Sequence, residues 1–395
     1  MGLMSSAFPG KKAGEVIDVT ADLGMQGVEF VSIRQGGVRQ DHIATHLELD
    51  QFARVDAQQL IDKANSRRVV IETSGTYANT LGGTPEEQRA EWNQILLNGR
   101  AVASLRGKNG RNDVVAGYFP GWDPKLGDGE YGFQRNLEKW SALGVPVLKY
   151  LQDNGVILCS ENCPGEGLRQ NGARFAGANN NLASTLAARK MMYAMANRAG
   201  CDNLAETHDA SHHWDGADPA RVILASDPKR VKRVHIKSYL ELPPDHPHRI
   251  LYGTIFPKQA FDGEMAELAK ELGIPVPGHD WDRFAYDCRH PGFGAEGSVK
   301  WTEYLAALRA TGYKGPLINE NEAGDSKGTG SEAAIKQGLT AAMLYFAPKI
   351  WPLTQDGGYN FDDTGYVPME DAAELGRIVT IEDLVDQATL QKWLV

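Results

Sequence analysis

The chain has 395 residues, of which 42% are hydrophobic and 23% are charged, a composition typical of a globular protein. This length is sufficient for one elaborated barrel or for two ordinary domains. The formal charge of −10 at pH 7 argues against a nucleic-acid-binding surface, because such surfaces are densely basic. No stretch is apolar over the length that a membrane span requires, so we expect no membrane partner.

The cysteines and the opening residues indicate a cytoplasmic protein. The four cysteines show no CxxC pair and no spacing typical of a disulfide framework. They are Cys159, Cys163, Cys201 and Cys288. The opening MGLMSSAFPGKKAG contains no apolar run long enough for a signal peptide. We therefore expect reduced thiols in a reducing compartment.

Strand-like and helix-like segments alternate through the first half of the chain. GLMSSAF predicts a first strand and AGEVIDVTADLGM a helix, and GVEFVSIR and RVVIETSG predict the next two strands. A long helix follows, with Pro85 near its first turn, and then DVVAGYF as the fourth strand. LEKWSALGVPVLKYLQD predicts a helix that we expect Pro146 to kink.

The second half continues the alternation. GVILCSE, NLAETHD, VKRVH and GPLINE predict four more strands, and amphipathic segments lie between them. SEAAIKQGLTAAMLYFA predicts a final helix. Continuous Val, Ile and Leu runs between such helices are typical of a parallel sheet covered on its outer face. Eight units predict an α/β fold of the (β/α)₈ TIM-barrel type, and no GxGxxG follows the first strand to favour a dinucleotide-binding sheet.

Two regions exceed a minimal barrel. Residues 238–298, after the seventh strand, are rich in Pro, Gly, His and aromatic residues. So long a loop is usually functional, and its position places it over the catalytic face. The tail 351–395 ends in a helical IEDLVDQATLQKWLV. We expect a barrel over 1–350 and a C-terminal extension over 351–395 that packs on its own barrel or on a partner subunit.

Each of the last four predicted strands ends on a residue that can bind a metal ion: Glu161, Asp209, His235 and Glu320. Taken singly, each has a structural explanation, such as a helix cap for Asp209 or a satisfied core histidine for His235. In a parallel barrel, however, all strands open at their C-terminal ends onto one face. Four such residues on four consecutive strands therefore predict one site. Three carboxylates and an imidazole form a hard donor set, which suits Mn²⁺, Mg²⁺ or Co²⁺ better than structural zinc.

Four further residues are candidates for substrate contacts at the same face. His212 follows the Asp209 strand, and Lys237 shares the His235 side of its strand. Arg289 lies before the HPGFG turn and can act as a clamp through its fork of donors. Asn79 follows the third strand, where we expect it to line the pocket together with Tyr77. The alternative explanation for the charged members is a solvated surface position.

The motifs that carry these residues resemble the xylose-isomerase-like TIM-barrel superfamily of sugar isomerases and epimerases. The resemblance extends from about residue 27 to about residue 347. The segments that carry it are TYANTLGGTPEEQRA, VILCSENCPG, ETHDASHHWDGADP, RVHIKSY and RHPGFGAEGSVKWTEYLAALRATGYKGPLINENE. Many relatives have HxKD and DPSH where this chain has HIKS, ending at Ser238, and DASH, ending at His212. These departures bear on the substrate more than on the metal.

The resemblance implies one divalent metal ion held by Glu161, Asp209, His235 and Glu320, with Mn²⁺ favoured and Mg²⁺, Co²⁺ or Zn²⁺ as alternatives. It also implies substrate contacts from His212 and Arg289 and a role for Lys237. We expect a small-molecule sugar substrate, and the superfamily habit and the tail suggest a homo-oligomer.

The chemistry expected from this set starts with removal of an α-proton from a ketose or keto-sugar. Glu161 and Glu320 are candidates for base and acid, His212 is the alternative base, and Lys237 would stabilise an oxyanion. Return of the proton gives an epimer or an isomer, and loss of a β-leaving group makes the enzyme a lyase instead. The lyase alternatives are an inosose-type dehydratase and an enzyme that cleaves 3-keto-C-glycosides.

Two other classes are less consistent with the sequence. Phosphodiester hydrolysis, the reaction of endonuclease IV in the same superfamily, requires more histidines and a basic surface. A non-catalytic binding subunit would not need usable residues at all four ligand positions.

Overall fold

The computed structural model describes residues 1–34, 45–110, 112–127, 131–163, 181–212, 218–241, 251–252, 261–274, 284–289, 299–320, 331–355, 366 and 368–394. Its strands are β1 (Gly2–Met4), β2 (Gly27–Val31), β3 (Val70–Asn79), β4 (Val115–Phe119), β5 (Leu158–Glu161), β6 (Leu204–Asp209), β7 (Val231–Ile236), β8 (Ser238–Glu241), β9 (Leu251–Tyr252), β10 (Phe284–Arg289) and β11 (Leu317–Asn319). A closed parallel barrel has the order β1-β11-β7-β6-β5-β4-β3-β2. The predicted (β/α)₈ fold is confirmed, and each of the eight barrel strands coincides with a predicted segment, although β3 and β7 extend beyond the ends of theirs.

Helices alternate with the strands and cover the barrel. They are α1 (Ala13–Asp22), α2 (Arg54–Arg67), α3 (Pro85–Leu105), α4 (Pro124–Gly127), α5 (Gly132–Asp153), α6 (Leu186–Arg198), α7 (Pro219–Ala225), α8 (Gly263–Glu271), α9 (Trp301–Ala310), α10 (Glu332–Gln355), α11 (Ile381–Leu384) and α12 (Gln387–Trp393). Thr84 and Glu87 form a capping box around Pro85, the first residue of α3, which explains why the helix begins there. The helix α5 contains Pro146 and continues past it to Asp153.

The main hydrophobic core lies between the barrel strands and the surrounding helices. Trp92 on α3 and Trp140 on α5 are fully buried there, against outward-facing side chains of the strands. Burial of a large apolar side chain contributes roughly 1.5–3 kcal/mol, so this layer supplies most of the stability that holds the strand ends in register.

A polar network lies buried in the same layer, beside β6. Arg189 Nε lies 3.1 Å from Glu206 Oε2, and Tyr193 donates a hydrogen bond of 3.4 Å to the same carboxylate. Burial raises the pKa of Glu206, and the Arg189 charge opposes this shift. His208 points to the same side, where its Nδ1 lies 2.6 Å from the Tyr304 hydroxyl. Glu206 and His208 therefore stabilise packing, whereas residues of opposite parity on β6 face the barrel interior.

The side chain of Arg233 crosses the barrel interior near the N-terminal ends of the strands, which we call the floor of the barrel. Arg233 on β7 is 1% exposed and donates to the Glu72 carbonyl and the Thr73 hydroxyl of β3, each at 3.0 Å from Nε. It also donates to the carbonyl of Asp113, just before β4. Because Arg233 lies two residues before His235, both side chains point into the barrel, one at the floor and one near the mouth.

The insertion after β7 contains a small antiparallel sheet of order β8-β10-β9. In this sheet Arg289 pairs with Ser238, the residue that directly follows Lys237. Trp301 donates a hydrogen bond of 3.1 Å from its indole to the Ser238 hydroxyl, so the serine that departs from the family pattern joins β8 to α9. Among the described residues, no helix is long and apolar enough to cross a membrane.

The described part of the tail lies against α2, α3 and α5 of its own barrel. Asn65 on α2 donates to the Met369 carbonyl at 3.0 Å and accepts from the Met369 N–H at 2.8 Å and from the Tyr366 hydroxyl at 2.7 Å. Further along, the Ile381 N–H donates to Asn93 of α3 at 2.7 Å. The residues 368–394 thus form an outer layer over three helices, and contact with a partner subunit stays a prediction.

Candidate metal centre at the barrel mouth

The four predicted ligands lie at the C-terminal ends of four barrel strands. Glu161 and Asp209 are the last residues of β5 and β6, His235 lies one residue before the end of β7, and Glu320 follows β11 directly. In the strand register Asp209 is paired with His235. All four are buried, with exposures of 0–8%. The parallel pairing therefore brings together side chains that are far apart in sequence.

The distances between these groups are those of one cluster. His235 Nδ1 lies 3.4 Å from Glu161 Oε2 and 3.4 Å from Glu320 Oε2. Glu161, Asp209, Glu320 and His212 each present a ligand atom within 4.8 Å of the others, which is close enough to hold one metal ion. Two imidazoles therefore border the same space, one from β7 and one from the turn after β6.

His212 and Lys237 contact the same carboxylates. His212 Nε2 lies 3.2 Å from Asp209 Oδ2 and 3.3 Å from Glu161 Oε1. Lys237 Nζ donates to Glu320 Oε2 at 2.9 Å and lies 3.2 Å from Asp209 Oδ2. Both side chains are buried, so the explanation of a solvated surface charge does not apply to either of them.

The charges in this cluster shift one another's protonation. Burial alone would raise the pKa of Glu161, but the His235 and His212 imidazoles beside it lower that pKa overall. Burial opposes protonation of His212, yet the Asp209 carboxylate raises its pKa well above the usual value. The pKa of His235 is likewise raised, against burial, by Glu29 and Glu161. Positive charge is thus favoured at this position, whether it is carried by protons or by a cation.

One imidazole nitrogen shows that the site fits a metal ion. His235 donates from Nε2 to Glu29 Oε2 at 3.1 Å. Its Nδ1 is buried and makes no hydrogen bond within the described part of the chain, although it points at Glu161 and Glu320. A histidine that donates one N–H to a carboxylate and presents its other nitrogen to a carboxylate cluster has the arrangement of a metal ligand. The oxygen-rich donor set is one that hard divalent cations prefer.

Two asparagines hold the strand ends in place. Asn162 accepts from the Asp209 N–H at 2.7 Å and donates to the Asp209 carbonyl at 3.0 Å, which joins the ends of β5 and β6. Asn181 donates to the carbonyls of Glu161 and Cys163, each at 2.8 Å. Because these amides bind backbone atoms, they restrict where the carboxylates can lie without using the carboxylate oxygens.

The structure places the other two predicted substrate contacts, Asn79 and Arg289, differently. Asn79 Oδ1 accepts from the backbone N–H groups of Gly82 at 2.9 Å and Trp122 at 3.3 Å, so it joins the loops after β3 and β4. The backbone of Arg289 lies beside the site in β10, but its side chain lies outside the described residues. Substrate binding by Asn79 and Arg289 stays a prediction.

Two further residues face the cluster from the opposite side of the barrel, and the sequence analysis missed one of them, Glu29. Glu29 on β2 is fully buried and contacts His235, and Tyr77 on β3 donates a hydrogen bond to Glu29. The only sequence signal for Glu29 is a single carboxylate inside the apolar strand GVEFV. Tyr77 lies beyond the predicted end of its strand and was expected to line the pocket with Asn79, but no sequence pattern indicated its hydrogen bond to Glu29.

The barrel mouth has an apolar side as well as a charged one. The buried apolar residues that pack together there come mainly from β1 to β4 and the residues next to them. They are Met4, Val31, Ile33, Tyr77, Phe119, Cys163 and Ile318. A ligand that is polar along one edge and presents C–H groups along the other, as a sugar does, matches these two sides.

Comparison with known proteins identifies the family. The sequence profile of the xylose isomerase-like TIM barrel family matches residues 17–343, so the chain belongs to that family. This confirms the resemblance found in the sequence motifs. No curated protein sequence matches the chain at a significant level.

Solved structures show the same fold at low identity. A xylose isomerase domain protein from Alicyclobacillus acidocaldarius is 16% identical, with a TM-score of 0.54 over 88% of this chain and 97% of that one. D-allulose 3-epimerase from Methylomonas sp. is 15% identical, with a TM-score of 0.52 over 88% and 96%. The 3-keto-D-glucoside 4-epimerase of E. coli is 12% identical, with a TM-score of 0.52 over 87% and 98%.

Proposed function

We propose that the protein is a divalent-metal-dependent sugar isomerase or epimerase that acts on a ketose or keto-sugar through an enediolate. The observation that carries this proposal is the buried cluster of Glu161, Asp209, His235 and Glu320, in which His235 Nδ1 points at two carboxylates without a hydrogen bond. Membership of the xylose isomerase-like family and the epimerases among proteins of similar fold support it.

In this proposal the four residues hold one ion, with Mn²⁺ favoured over Mg²⁺, Co²⁺ and Zn²⁺. A bound divalent cation would polarise the substrate carbonyl and stabilise the negative charge that develops on its oxygen. The carboxylate-rich donor set argues for a hard ion. His212, whose Nε2 lies within 3.3 Å of two of the carboxylates, is the second candidate for an imidazole ligand.

The chain's own residues would move the proton. Glu161 is ionised because the imidazoles beside it lower its pKa, so it is prepared to accept a proton from carbon. Glu320 lies at the end of a different strand, so in its protonated form it would return a proton to the sugar from another direction, while Glu161 keeps the proton it has taken. Lys237, which donates to Glu320 Oε2 at 2.9 Å, would stabilise the carboxylate that this transfer leaves. Lys237 also supplies a fixed positive charge for a developing oxyanion. A positioned acid or base contributes typically 10²–10⁴-fold to the rate.

The test is isotope exchange in D₂O with Mn²⁺ and a panel of ketoses, inososes and 3-keto-glycosides. Mass spectrometry of recovered substrate and product would report deuterium, with an EDTA-treated sample as the metal control. We expect metal-dependent exchange, with a product of unchanged composition apart from the deuterium. A product that has lost water or an aglycone would identify a lyase and contradict the proposed reaction.

Matched variants assign the exchange to the site. Glu161→Gln and Glu320→Gln keep the side-chain size and should reduce exchange by at least 10²-fold. Glu72→Gln changes a carboxylate at the opposite end of the barrel, near Arg233, and should leave exchange unchanged. Absence of both exchange and sugar interconversion in wild-type protein that has been shown to bind Mn²⁺ would contradict the proposal, as would full activity in both site variants.

A further inference from the structure

We propose that Glu29 and Tyr77 are positioning residues that orient His235 as an ion ligand from the opposite side of the barrel. This inference rests on the metal site of the proposed function, and it adds two strands, β2 and β3, to the four that carry the ligands. Nothing in the motifs that define the family resemblance includes Glu29. The argument depends on two hydrogen bonds and on the backbone conformation of Tyr77, taken in order from the imidazole outward.

The first contact determines which nitrogen of His235 carries the proton. Glu29 lies on β2 with its side chain on the inward face, since its neighbours Val28 and Phe30 pack in the outer core. Its Oε2 accepts from His235 Nε2 at 3.1 Å, and both side chains are fully buried. Carboxylates face both nitrogens, but the contact with Glu29 at 3.1 Å is a hydrogen bond, whereas Glu161 and Glu320 lie 3.4 Å from Nδ1 and form none. The neutral imidazole therefore keeps its proton on Nε2, and the lone pair of Nδ1 faces Glu161 and Glu320.

The second contact holds Glu29 itself. The Tyr77 hydroxyl donates a hydrogen bond to Glu29 Oε1, the oxygen that does not bind His235. Tyr77 is 1% exposed, and its ring packs against Phe119 with centroids 5.1 Å apart. Each oxygen of the buried carboxylate therefore has its own partner, which compensates the cost of burying it and restricts its rotation.

The third feature is the backbone that brings Tyr77 into the barrel. Tyr77 has φ +46°, a conformation that costs a bulky residue of order 1–3 kcal/mol. Its strand bulges at this position, because Gly75 pairs with Gly117 and Asn79 with Phe119, so four steps along β3 match two along β4. The ring folds back over Gly75, where a Cβ atom would lie 2.3 Å from Cε2 of the ring.

These features act together. The strained backbone of Tyr77, the bulge in β3 and the absence of a side chain at Gly75 allow the Tyr77 hydroxyl to reach the Glu29 carboxylate. Backbone strain of this kind persists only where the surrounding structure stabilises it, and it is concentrated at functional sites. Carboxylates that orient a ligating histidine typically strengthen metal binding by 10–100-fold.

The experiment compares three variants by Mn²⁺ affinity and by ¹⁵N NMR of the metal-free protein. Glu29→Gln keeps the size of the side chain and removes its charge, and we expect 10–100-fold weaker Mn²⁺ binding. Tyr77→Phe removes only the hydroxyl and should weaken binding to an intermediate degree. Tyr118→Phe is the matched control, because it also removes one buried hydroxyl, which accepts from Trp140 at 3.1 Å in the outer core.

The NMR measurement follows the neutral imidazole of His235 in samples labelled with ¹⁵N-histidine, recorded at a pH above its raised pKa. We expect the Nε2–H tautomer in the wild type and in Tyr118→Phe, and a mixture of tautomers in Glu29→Gln. This readout needs neither metal nor substrate, so it separates orientation from catalysis. Thermal melts of each metal-free variant show whether a loss of affinity comes from unfolding.

The outcomes distinguish this inference from the proposed function. If the wild type binds no Mn²⁺, the proposed function fails whatever the tautomer. If the wild type binds Mn²⁺ and Glu29→Gln binds it within twofold, with an unchanged tautomer, the positioning role is wrong. A Tyr77→Phe variant that loses thermal stability but neither affinity nor tautomer would restrict the role to Glu29 and refute it for Tyr77.

Discussion

Two imidazoles with raised pKa values lie among the carboxylates that would hold the ion, so cation binding should release protons. The pKa values of His212 and His235 are both raised well above 6.5, chiefly by Asp209 for the first and by Glu29 and Glu161 for the second once burial is overcome. A nitrogen that ligates a cation cannot also carry a proton. Protons and Mn²⁺ therefore compete for the same negative charges.

The expected change in Mn²⁺ affinity with pH follows from the number of imidazoles that lose a proton when the ion binds. Each proton displaced makes the affinity for Mn²⁺ rise tenfold per pH unit, about 1.4 kcal/mol, within the range where that imidazole is protonated. With two imidazoles in contact with Glu161, the rise lies between tenfold and 100-fold per pH unit. The range extends up to the raised pKa values of the two imidazoles, above the ordinary histidine value of about 6.5.

The assay is isothermal titration calorimetry with Mn²⁺ between pH 6.5 and 8.5, in two buffers with different ionisation enthalpies. The difference between the buffers counts the protons released, and we expect between one and two per ion. Affinity that does not change with pH, together with zero proton release, would refute the assignment of both imidazoles to the site.

Thermal melts of the metal-free protein provide an independent check on the sign. A group whose pKa is higher in the folded than in the unfolded state stabilises the fold. This contribution is complete at pH values below the unfolded-state pKa and is lost as the pH rises through the folded-state pKa. The metal-free protein should therefore lose stability as pH rises above about 6.5, whereas Mn²⁺ should restore it. An increase of metal-free stability over this range would contradict the raised pKa values of His212 and His235.

Three further variants test the structural groups around the site. Asn162→Ala leaves the N–H and carbonyl of Asp209 without their partners, and we expect a loss of about 1–3 kcal/mol in the free energy of unfolding and weaker Mn²⁺ binding, measured by denaturant titration and calorimetry. Arg189→Met leaves the Glu206 charge buried without its partner and should cost about 3–5 kcal/mol without changing Mn²⁺ affinity in the folded protein; an equal loss of affinity would contradict its purely structural role. Asn65→Ala removes the hydrogen bonds to the tail, so limited proteolysis should cut after residue 365 faster than in the wild type, and an unchanged rate would show that other contacts hold the tail.

The barrel and the carboxylate cluster were predictable because both follow from local patterns. Strands buried on both faces appear as continuous apolar runs, and eight of them were recognisable between amphipathic helices. Parallel strands end on one face, so polar residues at the ends of consecutive strands had to converge. Glu161, Asp209 and Glu320 are brought together for this reason, and no long-range information was needed to expect it.

What could not be predicted depends on contacts across the barrel. Glu29 lies in the middle of β2 rather than at its end, and only the closed barrel places it beside His235. The bulge that turns Tyr77 inward extends β3 to Asn79, beyond the segment RVVIETSG that predicted the strand. The second imidazole was expected to contact substrate, and its closeness to Asp209 became visible only in the folded chain.

Arg233 obstructs the end of the barrel interior that lies opposite the mouth. Its guanidinium crosses the floor and is bound to β3 and to the residue before β4, below the carboxylate cluster. In the proposed reaction, a proton taken from a sugar and held on Glu161 would leave through the mouth, past the bound sugar, or go back to the sugar. Internal return of the same proton would then compete with exchange, and isotope uptake per turnover would measure how tightly the mouth is covered during catalysis.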